Sequence, residues 1–129
     1  MIADTSFLID LLNNESGAVQ KAHQLDNQNV PLFTTAVSVF ELWQGVSEIK
    51  NKEKLEKINT LLESIGFFHL DKECAKIGGR IHSELCSKGM AIQPEDSMIA
   101  GICVKHSRKI LTRNVKHFSR VKLLEVETY

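Results

Sequence analysis

Three carboxylates stand in apolar company in this chain: Asp4, Glu41 and Asp96. Each falls at or near an expected helix start, and two of them follow strand-like runs. A buried charge is costly unless something pairs with it. Three acids placed this way suggest a shared partner, and a divalent cation is the natural one. Mg²⁺ takes oxygen ligands at about 2.1 Å and keeps several waters. Bound between carboxylates, such an ion lowers the pKa of a water and neutralises charge building on a phosphate.

Each acid also has an ordinary reading. Asp4 sits where an N-cap belongs, although Thr5 or Ser6 can cap the same helix. Glu41 closes the pattern Ser38-Val-Phe-Glu41, which fits a capping box. Asp96 lies in a first helical turn, where negative charge favours the helix dipole. Yet Ile99, Ala100 and Cys103 follow it at helical spacing, so its face points inward. Four further candidates cluster near the end: Thr112, Arg113, Asn114 and His117. Asn114 can ligate or orient a water, or simply turn the chain. Arg113 can grip a phosphate, and His117 can bind phosphate or move a proton. Each can equally be a solvated surface residue.

The elements that must position these residues follow from periodicity. Ile2-Ala3 reads as the end of a first strand, followed by a helix with Phe7, Leu8, Leu11 and Leu12 apolar. A second helix spans Ser16 to about Gln28. The β-rich run Val30 to Val37 predicts a strand, after which Ser38 caps a helix containing Phe40, Leu42, Trp43 and Val46. Leu55, Ile58, Leu62 and Ile65 mark a helix from Lys52 that Gly66 breaks. Phe67 to Leu70 is a short strand, and Asp71 caps a helix that Gly89 ends. Pro94 opens another through about Lys105. Lys109 to Thr112 and Leu123 to Val126 complete the strands. Alternation of this kind predicts an α/β fold, a mostly parallel sheet with helices on both faces. Ligands then bind beyond the carboxyl ends of the strands, where Asp4, the Ser38–Glu41 segment and the Thr112–Asn114 segment all fall.

Composition sets the frame. At 129 residues the chain is one domain, residues 1–129, with a core of ordinary apolar content. No apolar run approaches a membrane span. The N-terminus lacks a basic region, so it is not read as a signal peptide, and a cytoplasmic location is expected. Cys74, Cys86 and Cys103 match no zinc or disulfide pattern and are expected to be buried thiols. Net charge is zero, but no Asp or Glu occurs from Ser97 to Leu124. That stretch holds Lys105, Arg108, Lys109, Arg113, Lys116, Arg120 and Lys122, which suggests one basic face; solubilising surface charge is the alternative.

Four blocks in order resemble the PIN-domain nucleases, in particular VapC-type toxins. They are Ile2-Ala-Asp-Thr-Ser6, Ser38-Val-Phe-Glu-Leu42 with Gly45 behind it, Pro94-Glu-Asp-Ser-Met-Ile-Ala100, and Thr112-Arg-Asn-Val-Lys-His-Phe118. The resemblance covers essentially the whole chain. It implies a three-layer α/β/α sandwich and a Mg²⁺- or Mn²⁺-dependent endoribonuclease acting on RNA loops such as those of tRNA or rRNA. It also implies a homodimer and a cognate antitoxin that blocks the site. Asp4, Glu41 and Asp96 match the family acids. A fourth acid is frequent in the last block, where this chain has Asn114 and His117, so one metal ion is the expectation. In that picture Asp4 and Asp96 hold the metal and Glu41 helps hold it or orients the attacking water. Thr5, Ser6, Thr112, Arg113, Asn114 and His117 contribute from behind or touch substrate. Cleavage leaves a 5′-phosphate and a 3′-hydroxyl. The missing fourth acid keeps a rival open, a PIN-like module that binds RNA or protein without catalysis. A haloacid-dehalogenase-like phosphatase also begins with Asp after a strand, but it needs a second Asp where Ser6 stands. A groove near Phe40, Trp43 and Leu62 could accept an amphipathic peptide, although large apolar residues there are expected to fill the core.

Overall fold

Strands here are short, and neighbouring residues along them serve opposite faces. In a computed structural model, which describes residues 1–47 and 50–129, Ile2 and Ile110 join one core while Ala3 and Leu111 join another. That alternation is the period of two expected of a strand. It means the sheet is covered on both sides.

The chain runs β1 (Ile2–Ala3), α1 (Thr5–Leu12), α2 (Ser16–Asn27), β2 (Phe33–Thr35) and α3 (Ala36–Ser47). It continues through α4 (Lys52–Ser64), β3 (Gly66–Phe68), α5 (Lys72–Ser87), α6 (Pro94–His106), β4 (Lys109–Leu111), α7 (Val115–Phe118) and β5 (Glu125–Glu127). The five strands are all parallel, in the order β3-β2-β1-β4-β5. The fold is therefore the expected three-layer α/β/α sandwich. β1 lies at the centre, flanked by β2 on one side and β4 on the other. The chain leaves β1 in one direction and later returns on its other side. This is a topological switch point, where open parallel sheets leave a crevice. Asp4 is the first residue after β1.

Helices α5 and α6 pack closely behind that crevice because two glycines allow it. A Cβ on Gly101 would stand 2.5 Å from the Cys74 carbonyl oxygen, and one on Gly78 would stand 2.8 Å from that of Ser97. The close approach fixes α6, and with it Asp96. Gly89 ends α5 with a φ of +68°, a left-handed conformation that glycine adopts without strain.

Several expectations need correction. The strand expected from Val30 to Val37 is confined to Phe33–Thr35, and α3 begins at Ala36, ahead of Ser38. Thr35 rather than Ser38 accepts the bond at that helix start, from the Ser38 N–H at 3.1 Å. Thr5 and Ser6 lie inside α1, and Asp4 holds the cap position. The short helix α7 was not expected. Cys74 and Cys103 are buried, but Cys86 is exposed, since it falls on the outer face of α5. The expected basic face is partly neutralised among the described residues. Lys105 pairs with Asp71 and Glu73, Lys109 with Glu125, and Arg113 with Asp10. Arg120 donates to the carbonyls of Met90 and Ala91. Charges far apart in sequence thus cancel in space. Phe40 and Trp43 do not fill the core, being 60% and 43% exposed. No helix among the described residues is long and apolar enough to cross a membrane.

Candidate active site

Helix α1 starts at the sheet's carboxyl edge, and its first residues build the centre of the site. Asp4 is 4% exposed. Its backbone occupies the cap position, yet its carboxylate makes no cap bond. Oδ2 instead accepts from Ser6 Oγ at 2.9 Å and from Thr112 Oγ1 at 2.7 Å. The two hydroxyls lie 3.2 Å apart, and each gives its hydrogen to Asp4. Both are held from behind. Ser6 Oγ accepts from the Arg113 N–H at 3.1 Å, and Thr112 Oγ1 accepts from the Asn114 N–H at 2.9 Å. Asp4 Oδ1 has no protein partner among the described residues.

Glu41 stands on α3 and reaches across to α1. Thr5 Oγ1 donates to Glu41 Oε1 at 2.8 Å and lies 3.0 Å from Ser38 Oγ. Glu41 therefore bonds to another helix rather than closing a capping box. Burial pushes its carboxyl above the ordinary range. The Thr5 bond opposes this, and the charges of Asp4 and Asp96 add to it.

Asp96, in the first turn of α6, turns inward as its spacing predicted. Its Oδ2 lies 3.0 Å from His117 Nδ1, which also lies 2.8 Å from Asn114 Nδ2. One ring nitrogen cannot donate to Asp96 and accept from Asn114 at once. With Nδ1 protonated, the ring donates to the carboxylate and the amide presents its oxygen. With Nδ1 bare, it accepts from the amide. Burial raises the Asp96 carboxyl, His117 lowers it, and the Asp4 charge raises it again. His117 thus stands against Asp96 from behind, one of the two positions expected of it.

The structure therefore brings Asp4, Glu41 and Asp96 into one electrostatic field, with Thr5, Ser6, Thr112, Asn114 and His117 bonded to them directly or through one another. Arg113 joins them through its backbone N–H on Ser6, while its guanidinium is bound to Asp10. Ser38 was read only as a cap, and it belongs to the hydroxyl group around Thr5. Asp10 was passed over as a site residue. The spacing rule applied to Asp96 gives only a thin signal here, because of the residues three and four away from Asp10 only Phe7 is apolar, beside Ser6, Asn13 and Asn14.

Among the described residues no three His, Cys, Asp or Glu side chains stand close enough to hold an ion as they are. The donor chemistry nonetheless suits a hard cation. Each of the three acids has one oxygen tied by a neutral or weakly basic donor and its second oxygen without a protein partner among the described residues. Their mutual repulsion is what a cation relieves.

Similar proteins carry the same arrangement of elements. Ribonuclease VapC2 of Rickettsia felis is 25% identical over 127 residues, covering 98% of this chain and 95% of that protein. The tRNA(fMet)-specific endonuclease VapC of Salmonella typhimurium is 23% identical, with coverage of 98% and 95%. A crystal structure of VapBC2 from Rickettsia felis bound to a promoter DNA fragment superposes with a TM-score of 0.88 at 24% identity, covering 99% of this chain and 97% of that one. FitAB bound to a DNA fragment superposes at 0.84 and 22% identity, covering 98% and 93%. The family profile described as PIN domain matches residues 1–124, so this chain belongs to the PIN-domain family.

Proposed function

We propose that this protein is an endoribonuclease of the VapC type, the toxin of a toxin–antitoxin pair, and that it requires Mg²⁺ or Mn²⁺. The observation carrying this reading is the convergence of Asp4, Glu41 and Asp96, from three separate elements, on the crevice where β1 ends. The relatives named ribonuclease and tRNA(fMet)-specific endonuclease support RNA as the substrate class. The VapBC and FitAB complexes support a cognate antitoxin as partner.

In this proposal Asp4 and Asp96 hold the cation, with Glu41 at its side. When bound, the cation supplies a more acidic attacking water and offsets charge on the phosphate. Thr112 and Ser6 fix Asp4 Oδ2 and leave Oδ1 facing outward. Thr5 does the same for Glu41, whose second oxygen orients the attacking water and takes its proton. The water oxygen would bond to phosphorus as the bond to the 3′ oxygen breaks, and that oxygen would take a proton from a solvent water, leaving a 5′-phosphate and a 3′-hydroxyl. His117 keeps Asp96 oriented, and Asn114 steadies the ring. The guanidinium of Arg113 gives only Nη1 to Asp10 and is otherwise exposed, which leaves its remaining N–H groups for phosphate. Lys116, in α7 beside the site, is exposed and has no ion pair among the described residues. A homodimer is the assembly this reading carries.

The test is cleavage of a total RNA pool with Mn²⁺ or Mg²⁺, read by 5′-end sequencing, with wild type and Asp96→Asn side by side and EDTA controls. Discrete ends that need metal and vanish in the variant are expected. Identical patterns from both proteins, with metal binding verified, would favour the non-catalytic module.

A further inference from the structure

Helix α1 holds a second buried acid that the proposed chemistry does not use. Asp10 is 5% exposed. It accepts from Arg113 Nη1 at 2.7 Å and 2.9 Å, one bond to each oxygen, and from the Tyr129 hydroxyl at 2.7 Å. Its partners come from the far end of the chain, and one of them sits inside the site. Arg113 lies between Thr112, which donates to Asp4, and Asn114, which touches the ring that braces Asp96.

The grip on Arg113 is double. Ser6 and Asp10 are one turn apart on α1 and share a face. Ser6 Oγ takes the Arg113 backbone N–H, and Asp10 takes its guanidinium. One helical face thus clamps one residue at both ends. The Arg113 side chain is 64% exposed while that of Asp10 is 7% exposed. A fully solvated arginine would find water as good a partner, and it is the buried carboxylate that draws it down.

We infer that Asp10 is a positioning residue for the active site: through Arg113 it fixes the 112–114 loop, and the loop in turn sets Asp4 and Asp96. The inference rests on the proposed role of those two acids. Partners that orient metal-holding side chains from behind carry roughly tenfold or more of metal affinity when lost. A clamp that served stability alone would lower the melting temperature and leave metal affinity untouched well below it.

The experiment compares wild type, Asp10→Asn, Arg113→Gln and the double variant. It reads backbone amide exchange at Arg113 and Asn114, Mn²⁺ affinity from the spin signal of the free ion, and RNA cleavage. Asp10→Asn is expected to speed exchange of the Arg113 amide and to weaken Mn²⁺ binding roughly tenfold. Arg113→Gln, altered on an exposed side chain, should reproduce both effects even if Asp10→Asn folds poorly. Because the two act as one device, the double variant should be no worse than the more severe single. Unchanged exchange and unchanged affinity in the single variants, or effects that add in the double, would overturn the inference. If wild type itself binds no Mn²⁺, the reading of the site fails, while the exchange rates still decide whether the clamp holds the loop.

Discussion

Asp4 and Asp71 occupy the same place in two helices and do different work. Both hold the cap position in extended backbone, with φ and ψ of −71° and 160° for Asp4 and −80° and 177° for Asp71. Asp71 does what that position invites. It accepts from the Cys74 N–H at 2.8 Å and pairs with Lys105 at 2.6 Å. The Cys74 N–H first, and then Lys105, hold its carboxyl well below the usual range. Asp4 takes none of its helix's backbone N–H groups and instead takes two hydroxyls, Ser6 from within α1 and Thr112 from just beyond β4. Backbone geometry at a helix start therefore does not reveal what a carboxylate does. Burial and the sequence distance of its partners do.

The sharpest way to break this contrast is Asp4→Asn. If Asp4 holds the cation as proposed, removing its charge should lower RNA cleavage by roughly a hundredfold or more, in line with the several kcal/mol such an ion supplies to a phosphoryl transition state. Single-turnover kinetics on one mapped RNA site measures it. Next comes Gly101→Ala. The added methyl group forces α5 and α6 apart at the Cys74 carbonyl, and overpacking of this kind costs about 1–3 kcal/mol in urea unfolding. Asp71→Ala should follow with a smaller loss of melting temperature, no change in Mn²⁺ affinity and no change in cleavage.

The smallest effect is electrostatic. Burial, with the charge of Asp4 adding to it, raises both Glu41 and Asp96. These carboxyls hold protons more tightly folded than unfolded, where 4.5 and 3.8 are the ordinary values. Their ionisation therefore works against the fold. Their contribution to stability is full below those unfolded values and is lost as pH rises through the folded ones. Asp4→Asn removes a repelling charge, so both midpoints should move down in a carbon-detected NMR titration. Midpoints that stay in place would show that the three acids do not share one field.

Much of this was legible in the residues. Asp96 was placed inward by Ile99, Ala100 and Cys103, and α6 carries it so. The order of strands and helices led to the parallel sheet because the helical runs had a clear period and the short β-rich runs fell between them. What escaped was set by contacts between distant segments. Ser38 reads as a cap, but Thr35 takes that bond, because α3 starts two residues before Ser38 and leaves it to the hydroxyls around Thr5. The basic run from Lys105 to Lys122 reads as a face, but Asp71, Asp10 and Glu125 neutralise part of it from elsewhere in the chain. Asp10 was missed because α1 was read for its apolar residues and not for the acid among them.

The central claim is that Asp4, and not merely any acid at a helix start, holds a divalent cation. The most direct test is Mn²⁺ titration of wild type, Asp4→Asn and Asp71→Asn, each verified as folded. Wild type and Asp71→Asn should bind alike, and Asp4→Asn should lose the site. Equal binding by all three proteins would contradict the account.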